Sequence, residues 1–195
     1  MSELGYAEHR SESMARVPYV QRDELNPEGQ AIYDRIRQDR NAPEVGLQFR
    51  ALLHSPHATG HLTSLGAQLR FQSALPEDLK ELTILLVARE WNSAIEWTGH
   101  AVLASRAGVS LTSIEAIRTG KAPEGLTEPE QIIARVVHEL LHQKDVTDAR
   151  FEAAHRLLGT PGVVDLALTC SYYSAVCLAQ LMLKPDLEPG RVSTL

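Results

Sequence analysis

Residues 81–110, "ELTILLVAREWNSAIEWTGHAVLASRAGVS", decide how the chain is read. Placed at 100° per residue, they resolve into two helices separated by a break at Trp91–Ser93. The first is apolar almost all round from Leu82 to Ala88, the pattern of a helix enclosed by neighbours. Glu81 nevertheless shares a face with Ile84, Leu85 and Ala88. On the second helix, Glu96 and His100 stand at i and i+4 and face the same way. Leu103 and Ala107 continue that face, with Trp97 and Ala104 at its edge. Two carboxylates and an imidazole therefore occupy positions where core residues are expected. A Glu–His pair in a semi-apolar pocket is suited to passing protons near neutral pH. The same pair can also be a structural bond between helices, and spacing alone leaves both roles open.

Working outward, the punctuation is helical throughout. Asn26-Pro27 and Ser55-Pro56 each read as an N-cap followed by proline at the first helical position, opening helices to about Arg40 and Ser73. Pro76 opens a third to about Trp91. Ser93 opens a fourth that ends at Gly108, and Ser110 a short fifth ending near Gly120. Segments 128–143, 147–158 and 162–183 complete the set. No period-2 alternation or hairpin signal intervenes. The expectation is one all-α domain of about eight helices spanning 1–195, with an N-terminal arm over 1–20 and a tail over 185–195.

The 195 residues are 44% hydrophobic and 23% charged, with a net charge of −6. That is ordinary for a globular domain, and the absence of a Lys/Arg patch sets nucleic acid aside as a partner. Leu166–Leu183 lacks formal charge but carries Thr, Ser, Tyr and Gln, so it reads as a core or interface helix and not a membrane span. No signal-peptide pattern opens the chain. Cys170 and Cys177, roughly 10 Å apart along a helix, are too far apart for a disulfide. The chain is expected to be cytoplasmic.

Other histidines invite other readings. His138-Glu139-Leu140-Leu141-His142 matches the zinc-protease pattern H-E-x-x-H. However, the helical wheel puts both histidines on the polar face with Gln131 and Arg135. No third ligand follows at the required spacing. A solvated face is expected, with no metal. His57 and His61 likewise share a face with Ser64 and Gln68, while Ala58, Leu62, Leu65 and Leu69 are expected to point inward.

Glu81, "ILLVA" (84–88), "IEW" (95–97), His100, Ala104 and Gly108 together resemble the signature of the carboxymuconolactone decarboxylase family, within the AhpD-like superfamily. "FRALLHSP" (49–56), "LGAQLRF" (65–71), "GVVDL" (162–166) and "SYY" (171–173) extend the likeness along most of the chain. The resemblance implies an AhpD-like helical bundle that assembles into homo-trimers or hexamers. Its peroxidase branch carries a C-x-x-C pair, whose places here hold Ser93 and Glu96, so no thiolate is available there. The decarboxylase branch implies a cofactor-free lyase acting on a small carboxylated or lactone-like substrate. His100 would be its acid–base group, Glu96 its orienting or proton-sharing partner, Glu81 a second polar wall and Trp97 a pocket lining. Arg50 and Arg70 are available as positive groups, though nothing in the sequence places them. A hydroperoxide reductase with altered residues and a non-catalytic oligomeric binding protein remain as alternatives.

Overall fold

A computed structural model describes residues 13–195. Among these there are eight α-helices and no strand. They are α1 (Pro27–Asp39), α2 (Leu47–Leu52), α3 (Pro56–Phe71), α4 (Glu77–Glu90), α5 (Ala94–Ala107), α6 (Leu111–Arg118), α7 (Glu128–His138) and α8 (Asp148–Leu183). A π turn, Glu139–Gln143, prolongs α7.

The caps follow the sequence closely. Asn26 accepts a hydrogen bond from the Gly29 amide at 2.8 Å, with Pro27 behind it. Ser93 and Ser110 cap α5 and α6 in the same way, satisfying amides that have no partner inside the helix. Gly108, at φ 103, ends α5 in the left-handed conformation that glycine adopts without steric cost.

α4 is the axis of the molecule. Leu82, Ile84, Leu85, Val87 and Ala88 are wholly buried, because α5, α6, α7 and α8 all pack around it. A smaller cluster of Val20, Tyr33, Ile36, Val45, Phe49 and Leu53 joins the N-terminal segment, α1 and α2.

The segments expected at 147–158 and 162–183 are present as two helical arms that meet at a kink at Gly159 (φ 68, ψ 176) just before Pro161, together α8. Two expectations change. α2 is an additional helix of six residues, too short to show a period. On α3, Leu69 is buried and Leu62 half-buried as expected, but Ala58 and Leu65 are exposed while Thr59, Gly60, Thr63 and Gly66 are buried. The small residues allow close packing, and the threonines keep their hydroxyls bonded to carbonyls within the same chain segment. At Gly66 the requirement is steric. A Cβ there would lie 2.1 Å from the Tyr172 hydroxyl of α8.

The C-terminal segment is docked along the body. Asp186 accepts from the Tyr19 hydroxyl, Glu188 from the Leu47 amide, and Thr194 from the Trp97 indole. The first twelve residues, part of the expected arm, lie outside the described residues. α8 is long and apolar enough to cross a membrane by length and composition. In this fold it is a core helix, burying Leu166, Cys170, Tyr172, Tyr173, Val176 and Cys177.

Candidate functional site

The break at Trp91–Ser93 sets the geometry of the site. Asn92 adopts φ 50, folding α5 back against α4, so that residues nineteen apart in sequence meet side by side. Glu81, Glu96 and His100 are each buried, at 4, 5 and 6% exposure. His100 Nδ1 lies 2.7 Å from Glu81 Oε2, a length typical of a charge-assisted hydrogen bond. His100 Nε2 lies 3.6 Å from Glu96 Oε2, too far for a hydrogen bond. The imidazole thus stands between two carboxylates, anchored on one side and without a hydrogen bond on the other. The sequence paired His100 with Glu96, but the short bond is to Glu81. An i,i+4 pair shares a face without being forced into contact, whereas the packing of α4 against α5 drives Glu81 onto the ring.

α8 closes the third side. Gln180 donates to Glu96 Oε1 at 2.6 Å, and its carbonyl accepts from Ser93 Oγ at 2.6 Å. Its amide also bonds Gln48 of α2. Ser93 therefore caps α5 and orients Gln180, which in turn fixes Glu96. Tyr173 meets the imidazole edge-on, with ring centroids 5.1 Å apart, and Tyr172 meets Tyr173 in the same fashion at 5.0 Å. The Tyr173 hydroxyl is buried without a hydrogen-bond partner. Burial, reinforced by the negative charge of Glu96, holds it well above its ordinary pKa of 10. It therefore remains a neutral donor. Arg40 extends the chain of polar groups. Its guanidinium sits 4.4 Å over the Phe49 ring, one nitrogen is buried without a partner, and burial lowers its pKa.

Of the expected site residues, Glu81, Glu96 and His100 converge. Trp97 is wholly buried in the main core, with its indole N–H on Thr194 at 3.1 Å. Arg50 bonds the Val20 carbonyl and stacks on Tyr19, and Arg70 lies over Phe71 with its charge acting on Tyr172 and Tyr173. Gln180 and Arg40 join the site without having been singled out for it, and Tyr173 joins it from the "SYY" run that carries part of the resemblance. The only sequence signal of the first two was a polar residue inside an uncharged helix and an arginine at a helix end.

Cys177 lies beside Ser93 and Glu96, and neither thiol of the chain is activated. Burial pushes both Cys170 and Cys177 up to about 12. The H-E-x-x-H residues serve other ends. Glu139 accepts from the Thr147 amide and hydroxyl and from Arg150, bracing the start of α8. His138 and His142 are exposed, and His142 pairs with Glu90 at 2.6 Å. Among the described residues no three His, Cys, Asp or Glu side chains are grouped to hold a metal ion.

No protein-family model matches the chain, and no curated protein is significantly similar to it in sequence. Similarity emerges at the level of structure. An AhpD-core protein from Ralstonia eutropha JMP134, described as an uncharacterized peroxidase-related protein, superposes with a TM-score of 0.74. The two are 12% identical, and the match covers 92% of this chain and 98% of that one. At that identity the likeness defines architecture, and the chain has the AhpD-like all-helical fold.

Proposed function

We propose that the protein is a cofactor-free acid–base enzyme of the carboxymuconolactone decarboxylase type, acting on a small carboxylated or lactone-like substrate. The observation that carries this reading is the His100 imidazole, bonded to Glu81 through Nδ1 and left without a hydrogen bond at Nε2, beside Glu96. In decarboxylation the bond to the departing carboxylate breaks and its electron pair passes into an extended enolate. His100 then delivers a proton to carbon from Nε2, and Glu81 stabilises the changing charge through Nδ1. Tyr173 supplies an O–H donor for the developing oxyanion, and Arg40 and Arg70, whose charges act on the tyrosine pair, are the cations available to an anionic substrate. Glu96, held by Gln180, shares the proton. Trp97 acts as the packing wall behind this array.

A thiol peroxidase is a weaker reading despite the shared fold, because Ser93 and Glu96 stand at the C-x-x-C places and both cysteines are held protonated. We place the enzyme in the cytoplasm as a homo-oligomer. Val164, Leu168, Leu178 and Met182 form an exposed apolar row along α8, which supports assembly through that helix.

The test is release of CO2 from carboxylated γ-lactones. Turnover by the wild-type protein that is lost in Glu96→Ala supports the reading. Unchanged turnover in Glu96→Ala, or peroxide consumption with a dithiol reductant in place of decarboxylation, overturns it.

A further inference from the structure

A groove of about 620 Å³ opens on the side of α4 that carries Leu86, Arg89 and Glu90, away from the Glu81–His100 bond. α7, the π turn, the connection before α7 and the start of α8 form its other walls. The volume is that of a small-molecule site. Its floor is apolar, formed by Leu86, Ile117, Val137 and Leu141. The π turn that shapes one wall belongs to a class of helical irregularity found often at functional sites. It brings the His138 and His142 rings to 4.3 Å between centroids.

The charges around the groove do not cancel. Its two carboxylates are both answered from within, Glu90 by His142 at 2.6 Å and Glu139 by Arg150 at 3.2 Å. Two guanidinium groups have no carboxylate partner among the described residues. Arg89 spends only Nε, on the Arg118 carbonyl. Arg135 contacts only the neutral Gln131 side chain, at 3.2 Å. Two planar cationic forks over an apolar floor favour a ligand with a carboxylate on an apolar body, since guanidinium binds carboxylate bidentately. A neutral ligand would leave both forks unused.

We infer that this groove is a second binding site, separate from the buried His100 site, for a small organic monocarboxylate with an aromatic or short acyl body. The inference does not depend on the reaction proposed for His100.

The experiment is calorimetric titration of the full chain with 2-naphthoate and with its neutral analogue, 2-naphthamide. Saturable naphthoate binding, about tenfold or more tighter than the amide, is expected. Arg135→Met should weaken naphthoate by about tenfold while leaving the amide unchanged. Arg135 is exposed and holds no structural partner beyond Gln131, so the variant is expected to fold, and its circular dichroism melt checks this. Arg106→Met, on the exposed side of α5, and His100→Ala should leave naphthoate affinity unchanged. Three results overturn the inference: no saturation up to about 10 mM, equal affinity for acid and amide, or naphthoate affinity that falls with His100→Ala and not with Arg135→Met.

Discussion

Two pairs with the same spacing, Glu96–His100 and His138–His142, have opposite settings. The first is enclosed by α4, α5 and α8, and its imidazole lies against the carboxylates of Glu81 and Glu96 and the edge of Tyr173. The second stands on an open face beside arginines, where water competes for each contact. Spacing fixes only which way side chains face. Burial decides whether a proton carried there is controlled by the protein or exchanged freely with solvent, because charge interactions strengthen as water is excluded.

The largest effect expected of this difference is catalytic. His100→Ala should reduce turnover of the carboxylated lactone by about 10²–10⁴-fold, the range supplied by a positioned acid–base group. His142→Ala should leave it within about twofold. Steady-state rates test both, with size-exclusion chromatography confirming that the His100 variant elutes as the wild type does. Equal losses in the two variants would erase the functional distinction between the pairs.

Stability should separate the same two regions. Glu81→Ala leaves a buried imidazole without its short hydrogen bond, and breaking such a pair from one side costs about 3–5 kcal/mol. Urea unfolding should show that loss. Glu81→Gln, which retains a hydrogen-bonding oxygen, should recover part of it. A loss below about 1 kcal/mol in Glu81→Ala would mean that water already reaches the ring.

A smaller effect is expected at Gly66. Alanine is favoured over glycine in a helix by about 1 kcal/mol, but here its methyl would meet the Tyr172 hydroxyl at 2.1 Å. Tyr172 is itself buried and packed edge-on against Tyr173, so it has little room to withdraw. Overpacking of this kind costs about 1–3 kcal/mol, so a net loss is expected in thermal melts. A gain would show that the α3–α8 contact is loose.

How much of this was visible in the sequence depends on how far each feature reaches. Caps such as Asn26-Pro27 and Ser93 were legible because they act within four residues. The burial of Glu81, Glu96 and His100 was legible because each interrupts an apolar face. The identity of the short bond was not, since it depends on how α4 and α5 are set against each other. Gln180 was hidden for a related reason, as it reaches Glu96 from more than eighty residues away. The α3 wheel misled because hydrophobicity ranked Ala58 and Leu65 above Thr59 and Gly60. Close helix packing selects instead for small side chains, and the threonine hydroxyls satisfy themselves on the backbone.

The thiols allow the comparison to be sharpened by pH. Cys170 and Cys177 are raised from 9.0 to about 12. At pH 8 only about one part in ten thousand is thiolate, so an aromatic disulfide reagent should leave the native protein unlabelled and label two thiols per chain in urea. The sign of the linkage follows. Between about pH 9 and 12 the folded state holds more protons on these groups than the unfolded state, so their contribution is intact below 9 and lost as pH rises. Rapid native labelling at pH 8 would revive a thiol mechanism.

The smallest effect belongs to the exposed pair. The His142–Glu90 contact has side-chain exposures of 48 and 30%, and an ion pair so open contributes about 0–1 kcal/mol. His142→Ala should therefore shift urea unfolding by less than that. Protein purified without an affinity tag should carry no stoichiometric zinc. A zinc ion at His138 and His142 would need a third protein ligand, yet Glu139 is occupied by Thr147 and Arg150, and Arg135 lies one turn before His138. One tightly bound zinc per chain, released by chelator with loss of stability, would require Glu90 or Glu139 to abandon its present partner. The H-E-x-x-H sequence would then be a metal site, and the contrast between the two pairs would have to be redrawn.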